Sequence, residues 1–401
     1  MGKKRKGSVP LMETLIELYD ERPLENVLGV EMFRPRRVVY ICPQAAARDE
    51  LLHRTLRAYF SRRALQVELI FFKANVYDTD AVLALLRTIL ARYPDSAMDI
   101  TGGTDAVLFA AGLLCAETGL PVFTYSRRRN RIYNIRNAGF ADGLLCDLRY
   151  SVEDFFYMAG GSVREGRADN AALARYLDDF DPFFSVYQQF WQRWTKIVTY
   201  MQRISPAAPD GSWTLDASGP YTVKGERGSR IDAPEDALRE FERIGFVRDL
   251  CIAPEGVSLR FRDGQTRAWL RDVGSVLETY VYKACLDTGV FDDVRLSVIV
   301  DWEGENKADS VSNELDVMCC RGVVPLFISC KTCEIRTEAL NELAVLRDRF
   351  GGQMARAAIV TAERANARVR SRASELNIQV IDLRDLAADR LQQRLKRCMN
   401  A

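Results

Sequence analysis

The feature that most constrains this chain is the regular alternation, over its first 150 residues, of short β-branched or aromatic runs with helical patterns. Runs from Thr14 to Leu18, Val38 to Ile41, Val67 to Phe72, Met98 to Ile100 and Val122 to Tyr125 are predicted as buried strands. Between them Leu52, Leu56 and Tyr59 repeat on one helix face, and Val82, Leu85, Leu86, Ile89 and Leu90 on another. Parallel strands need long crossovers, so this alternation predicts an α/β, doubly wound, Rossmann-like domain over residues 1–148. Ligands of such sheets sit beyond the carboxyl ends of the strands.

After Tyr150 the pattern changes. Phe155, Phe156, Phe183, Phe184, Tyr187, Phe190, Trp191 and Trp194 mark aromatic helix faces, and a stretch rich in Pro, Gly and Ser follows between Ser205 and Asp232. Leu238, Phe241 and Ile244 at helical spacing, then a strand at Val257 to Phe261, predict a small winged-helix-like element. Residues 149–265 therefore read as a partly helical connector. From 266 to 401 the expected order is α-β-β-β-α-β-α-β, that of a restriction-endonuclease-like core.

Composition narrows the classes. With 56 basic against 55 acidic residues and a net charge of +1, the chain has no global affinity for polyanions, so nucleic-acid contacts must come from local basic clusters. Ten cysteines without a repeating framework, and no secretory pattern at the start, point to a reducing cytoplasm. No apolar run is long enough to span a membrane. The basic segment Gly2 to Gly7 reads as a solvated tail, and the single histidine, His53, as a structural residue on a helix.

Two segments carry candidate chemistry. In Met98-Asp99-Ile100-Thr101-Gly102-Gly103-Thr104-Asp105 a strand ends in a Gly-rich turn that opens a helix. Backbone N–H groups and the helix dipole at such a place suit a phosphate, although the same turn also serves as a plain β-to-α connection. Arg127 to Arg131 follow the next strand, either adding positive charge there or forming a solvated basic turn. The second segment is a hairpin, Asn313-Glu314-Leu315-Asp316-Val317 and Phe327-Ile328-Ser329-Cys330-Lys331-Thr332. Period-2 geometry puts Glu314 and Asp316 on one face and Ser329 and Lys331 on one face. A two-residue turn at Arg321-Gly322 would set Glu314 opposite Ser329 and Asp316 opposite Phe327. Carboxylates and an ammonium gathered on an apolar hairpin call for a hard cation such as Mg²⁺ or Mn²⁺, or for a partly exposed cross-strand ion pair. The Cys330-x-x-Cys333 pair, with no second pair or histidine, is a weak zinc signal.

The spacing Asp316-x14-Lys331 with apolar flanks resembles the PD-(D/E)xK nuclease motif, and the C-terminal third is similar to the effector domain of CARF-domain nucleases of type III CRISPR systems. The resemblance implies a helix acid before the hairpin, for which Glu278 in Gly274-Ser275-Val276-Leu277-Glu278 stands at the matching position. It implies a Mn²⁺ or Mg²⁺ site from Asp316, Glu278, Glu314 and the Cys330 carbonyl, with Lys331 and Ser329 completing the catalytic set. Ser329 departs from the motif, which has an acid there, and Glu314 is expected to fill that place.

The N-terminal domain, through Leu18-Tyr19-Asp20, the helix start at Pro23-Leu24-Glu25-Asn26 and the Thr-Gly-Gly-Thr turn, resembles a CARF domain. That resemblance implies binding of a cyclic oligoadenylate, chiefly cyclic tetra-adenylate, at the two-fold axis of a homodimer. The implied ligand residues are Thr101, Gly102, Gly103, Thr104, Asp105, Tyr19, Asp20 and Arg127; Asp105 stands where the family often has lysine. DNA or single-stranded RNA is the expected substrate, contacted by Arg347, Arg349, Arg356, Arg368, Arg370 and Arg372. A nucleotide-sensing regulator that binds nucleic acid without cutting it, and an inactive effector, are the alternatives.

Overall fold

In the computed structural model, residues 12–165, 170–207, 211–225, 228–302 and 312–399 are described, and the basic N-terminal segment lies outside them. Strands β1 (Thr14–Leu18), β2 (Arg37–Pro43), β3 (Glu68–Ala74), β4 (Ser96–Asp99), β5 (Val122–Ser126) and β6 (Arg131–Arg136) form a six-stranded sheet in the order β3-β2-β1-β4-β5-β6. The first five run parallel and β6 returns antiparallel. Alternate side chains enter different cores. Ile16, Leu18, Val39 and Ile41 pack under the helices Thr79–Arg92 and Asp105–Thr118, whereas Leu15, Val38 and Tyr40 pack with Leu56, Tyr59 and Phe60 of the helix Glu50–Arg62. Strand order reverses between β1 and β4, and in open α/β sheets that reversal is where ligands bind. The Gly-rich turn follows β4 there.

The same two strands hold an unusual burden. Glu17 of β1 lies across from Asp99 of β4, and the pair is essentially inaccessible to water. Gly29 lies against them, where a Cβ would overlap the Asp99 carboxylate. Both Glu17 oxygens and Asp99 Oδ2 lack a hydrogen-bond partner. Burial, and then the neighbouring Asp99, push the Glu17 carboxyl well up, while burial takes Asp99 to about 7. Two carboxylates this close cannot both ionise.

The remaining strands are β7 (Ser162–Glu165), β8 (Asp216–Gly219), β9 (Thr222–Lys224), β10 (Arg230–Asp232), β11 (Val247–Ala253), β12 (Gly256–Phe261), β13 (Asp293–Asp301), β14 (Ser312–Arg321), β15 (Val324–Lys331), β16 (Arg356–Thr361) and β17 (Ile378–Ile381). A second six-stranded sheet has the order β17-β16-β15-β14-β13-β7. It mixes an antiparallel β7/β13/β14/β15 part with a parallel β15/β16/β17 part. With the helices Ser275–Asp287, Thr337–Gly351 and Ala367–Glu375, it reproduces the α-β-β-β-α-β-α-β order.

The connector does not stand apart from this sheet. It supplies β7 at the sheet edge, and its helices Phe180–Phe190 and Trp194–Ile204, the helix Glu235–Arg243 and the three-stranded β11-β12-β8 sheet share one core with Val317, Leu326 and Ile328. The winged-helix-like element is present as this helix-plus-sheet unit. The aromatic run predicted for the connector packs inward: Phe183 stacks on Trp269, and Phe184 on Tyr280. His53 stacks on Phe71, a packing role. No described helix is long and apolar enough to cross a membrane.

The buried pair gives a stability prediction. A carboxyl whose pKa is raised on folding contributes fully only below its unfolded value, near 3.8 for Asp99, and loses that contribution as pH rises through about 7. Asp99→Asn keeps an acceptor for Thr101 and offers an N–H to Glu17. It should stabilise the protein against urea by roughly 2 to 4 kcal/mol at pH 8 and by almost nothing at pH 4. A pH-independent difference would contradict the account of two buried carboxyls that cannot both ionise.

Candidate functional site

The hairpin forms with its register moved. Val317 pairs with Ile328 and Arg321 with Val324, so the two-residue turn is Gly322-Val323 rather than Arg321-Gly322. The reason is local: the first central residue of a tight hairpin turn needs positive φ, and Gly322 takes φ 59° without a Cβ to strain. Asp316, not Glu314, is therefore the residue beside Ser329. Parity survives the shift, so the charged side chains keep their common face.

Asp316 is the fixed point of the cluster. Its Oδ2 accepts the Cys330 N–H at 2.6 Å and the Ser329 hydroxyl at 3.1 Å, and Lys331 Nζ stands 3.7 Å away. Glu278 comes from the helix Ser275–Asp287. Asp272 starts that helix, its Oδ1 accepting the Gly274 and Ser275 N–H groups at 2.9 Å. Gly274 leaves the space into which Glu278 folds, since a Cβ there would come within 2.7 Å of Glu278 Oε1.

Burial, followed by Asp316, Asp272 and Glu314, raises the Glu278 carboxyl to about 8 against the opposing pull of Lys331. Burial also raises Asp316, with Lys331 and the Cys330 N–H working the other way. Among the described residues, four acids thus share one ammonium. Glu314 is exposed and accepts the Ser297 hydroxyl at 2.5 Å, so it does not occupy the place beside Ser329 that the motif leaves vacant. Among the described residues no three Asp, Glu, His or Cys side chains stand in metal-holding geometry. The charge surplus at Glu278 and Asp316 nevertheless fits a hard cation, because an unneutralised buried carboxylate is costly. Cys330 is buried and Cys333 exposed, which does not support a zinc pair.

Sequence reading missed two contributors. Asp272 had a signal, an acid two residues before a glycine at a helix start. Ser297 had none: its φ of 53° is a left-handed conformation inside β13, and no pattern marks it.

The Gly-rich turn is held from below. Asp99 Oδ1 accepts the Thr101 N–H at 2.8 Å and its hydroxyl at 2.5 Å, while Thr101 Oγ1 accepts the Tyr125 N–H at 2.9 Å. Gly102 and Gly103 press against the end of β1. A Cβ on Gly102 would lie 2.8 Å from the Leu18 carbonyl, and Gly103 has φ 98°. Thr104 and Asp105 are exposed at the start of the helix Asp105–Thr118, with the Thr104 hydroxyl on the Val76 carbonyl at 3.2 Å.

Other expected ligand residues have intramolecular partners. Asp20 takes a two-pronged contact from Arg22 at 2.7 and 2.6 Å, and despite burial this guanidinium and the Gly103 N–H hold its carboxyl below the usual range. Arg127 bonds to buried Glu25 and, across the seam, to Gln353. Tyr19 lines a cavity of about 250 Å³ that also touches Asp49, Trp302 and Arg349. Of the expected substrate arginines, Arg370 pairs with Asp382, Arg372 with Glu375, and Arg347 with Asp348. Those three serve the domain's own surface.

Residues 266–399 match the family described as Card1-like, endonuclease domain. The C-terminal third is thus similar to a Card1-like endonuclease domain. No curated protein matches the sequence. Among solved structures, protein VC1899 from Vibrio cholerae is similar over 97% of this chain and 100% of its own, with a TM-score of 0.73 and 18% identity. Can2 from Sulfobacillus thermosulfidooxidans, solved with cyclic tetra-adenylate, is similar over 98% of this chain and 99% of its own, with a TM-score of 0.71 and 17% identity. At these identities the likeness establishes the fold: a Rossmann-like domain, a connector and an endonuclease-like sheet in one chain.

The acid cluster around Glu278 should destabilise the metal-free protein in alkali. Glu278 contributes fully below its unfolded pKa, near 4.5, and that contribution is lost as pH rises through about 8. Without metal, Glu278→Gln should melt above the wild type at pH 9 and level with it at pH 4. Added Mn²⁺ should raise the wild-type midpoint and leave the variant's unmoved; equal responses would remove Glu278 from any cation site.

Proposed function

We propose that the protein is a cyclic-oligoadenylate-activated, metal-dependent endonuclease of type III CRISPR antiviral defence, acting on DNA or single-stranded RNA as a homodimer. The observation that carries this reading is the convergence of Glu278, Asp316 and Lys331 in a Card1-like endonuclease domain. Glu278 and Asp316, with the Cys330 carbonyl and Glu314 nearby, would hold Mn²⁺ or Mg²⁺. Such an ion supplies Lewis acidity and a water of lowered pKa. Lys331, beside Asp316, offers an ammonium to negative charge on a phosphodiester. Ser329 positions Asp316 rather than replacing the missing acid.

The sensor reading rests on the switch-point turn, whose N–H groups and helix start suit the phosphates of a cyclic tetra-adenylate, the ligand held by Can2. The homodimer reading rests on the helix Asp105–Thr118. Its residues Phe109, Gly112, Leu113 and Ala116 leave an exposed apolar face, Phe109 being 63% accessible. A helix that is apolar all round calls for cover on every side. A second copy on this face would bring two Gly-rich turns to one axis.

Supercoiled plasmid and single-stranded RNA, incubated with protein, Mn²⁺ and cyclic tetra-adenylate in all combinations, test the proposal. Cleavage is expected only with both additions, and Asp316→Asn or Lys331→Ala should lower it at least about 10²-fold. Binding without any cleavage by the wild type would favour the regulator, and consumption of the ring alone the inactive effector. Phe109→Glu should give monomers in sedimentation and lose activation by the ring while keeping the folded spectrum.

A further inference from the structure

The endonuclease reading leaves open what holds the strand beside the acids, since Arg347, Arg370 and Arg372 are tied into intramolecular pairs. A different pair of cations is joined to the cluster through the chain, by way of Asp272. Arg267, on the helix Gly264–Trp269, and Arg271, one residue before Asp272, come close enough to repel each other. Among the described residues neither meets a carboxylate. Arg267 is 93% buried by its 7% exposure, donates to the Ser205 carbonyl at 3.0 Å, and has a buried Nε without a partner. Arg271 is half-buried, and its Nε is likewise without one. A buried guanidinium normally has an anion, because its desolvation is otherwise uncompensated; Arg267 with Arg271 beside it therefore concentrates positive potential that no described carboxylate neutralises.

Trp213 completes the arrangement. Its ring lies 4.9 Å from the Arg267 guanidinium, and one edge rests on Gly264, where a Cβ would come within 2.8 Å of it. Half of the side chain, 51%, still faces water. A large aromatic held at its base and open at its side is a platform for a nucleobase, and every base has a face to offer it. The chain then runs from Arg271 directly into Asp272, which starts the helix that brings Glu278 to the acids.

We propose that Trp213, Arg267 and Arg271 form the strand-gripping surface of the endonuclease site. Arg271 contacts a backbone phosphate next to the scissile one. Arg267 beneath it adds positive potential and fixes the ring of Trp213, which stacks an unpaired base. The inference rests on the endonuclease reading, and it names side chains that neither the nuclease motif nor the arginine-rich helix pattern includes.

The test is anisotropy of a fluorescein-labelled oligothymidylate and of a blunt duplex, in EDTA with and without cyclic tetra-adenylate, followed by Mn²⁺-dependent cleavage kinetics. Trp213→Ala should weaken single-strand binding roughly 5- to 100-fold and the duplex much less, with Trp213→Phe restoring most of the loss. Arg271→Ala should weaken both and reduce the salt slope by about one. In cleavage, both variants should raise KM and keep kcat at saturation. A wild type that binds and cuts, with variants that match it in affinity and salt slope, overturns this inference alone; a wild type that neither binds nor cuts overturns the endonuclease reading beneath it. Arg271→Lys guards against misfolding: intermediate affinity with an unchanged melting curve supports the contact, and full wild-type affinity rejects guanidinium recognition.

Discussion

The architecture depends on one sheet that has apolar material against both faces. Val317, Cys319, Leu326 and Ile328 enter the core shared with the connector, while Met318, Cys320 and Phe327 enter the core shared with the Rossmann-like domain. A hairpin walled on two sides cannot tilt without disturbing one core or the other, because packed interiors have little free volume. The acids are borne by this hairpin and by a helix, Ser275–Asp287, packed in the connector-side core. Site geometry is thus a property of how three parts of the chain are packed together.

At the acid cluster this regular packing breaks. Val294 and Leu296 of β13 enter the connector-side core, yet Val298 and Val300, of the same parity, enter the sensor-side core. The change falls at Ser297, whose left-handed φ turns the strand over. Leu315 on β14 changes sides with it. A non-glycine residue with positive φ inside a strand is strained, and such strain gathers where a side chain must be re-aimed. Here it takes Asp316 and Glu314 out of a strictly alternating pleat, letting carboxylates stand at the margin between two apolar cores. Mutual repulsion among those carboxylates is the physical cost of that placement.

Much of this was legible in the residues. Parallel-sheet order followed from periodicity, because burial on both faces demands runs such as Val38 to Ile41. Asp316 and Lys331 were picked out by their spacing and Glu278 by the family resemblance, and the fold brings the three together. The turn was misplaced by one residue, since Arg321-Gly322 and Gly322-Val323 offer the same glycine, and only the φ it must supply separates them. The intramolecular partners of Arg127 and Asp20, Gln353 and Arg22, were invisible to local pattern, the first being distant in the chain and the second a plain neighbour. The connector's share in the endonuclease core had no local signature, for long-range packing leaves none beyond the aromatics that Phe183, Phe184 and Trp194 supplied.

The seam between the Rossmann-like domain and the second six-stranded sheet is closed by specific contacts. Cys320 Sγ–H donates to the Tyr150 carbonyl at 2.7 Å, the Tyr150 N–H donates to the Gly322 carbonyl at 3.1 Å, and Phe156 meets both Phe327 and Phe350. Phe327 lies two residues before Ser329, which holds Asp316. On the sensor side Arg127, at the end of β5, joins Glu25 to Gln353 beside a cleft of about 980 Å³ that also touches Arg149 and Arg321. Arg127 therefore ties the end of β5 to the residues that follow the helix Thr337–Gly351, and the two six-stranded sheets cannot shift against each other without breaking that contact.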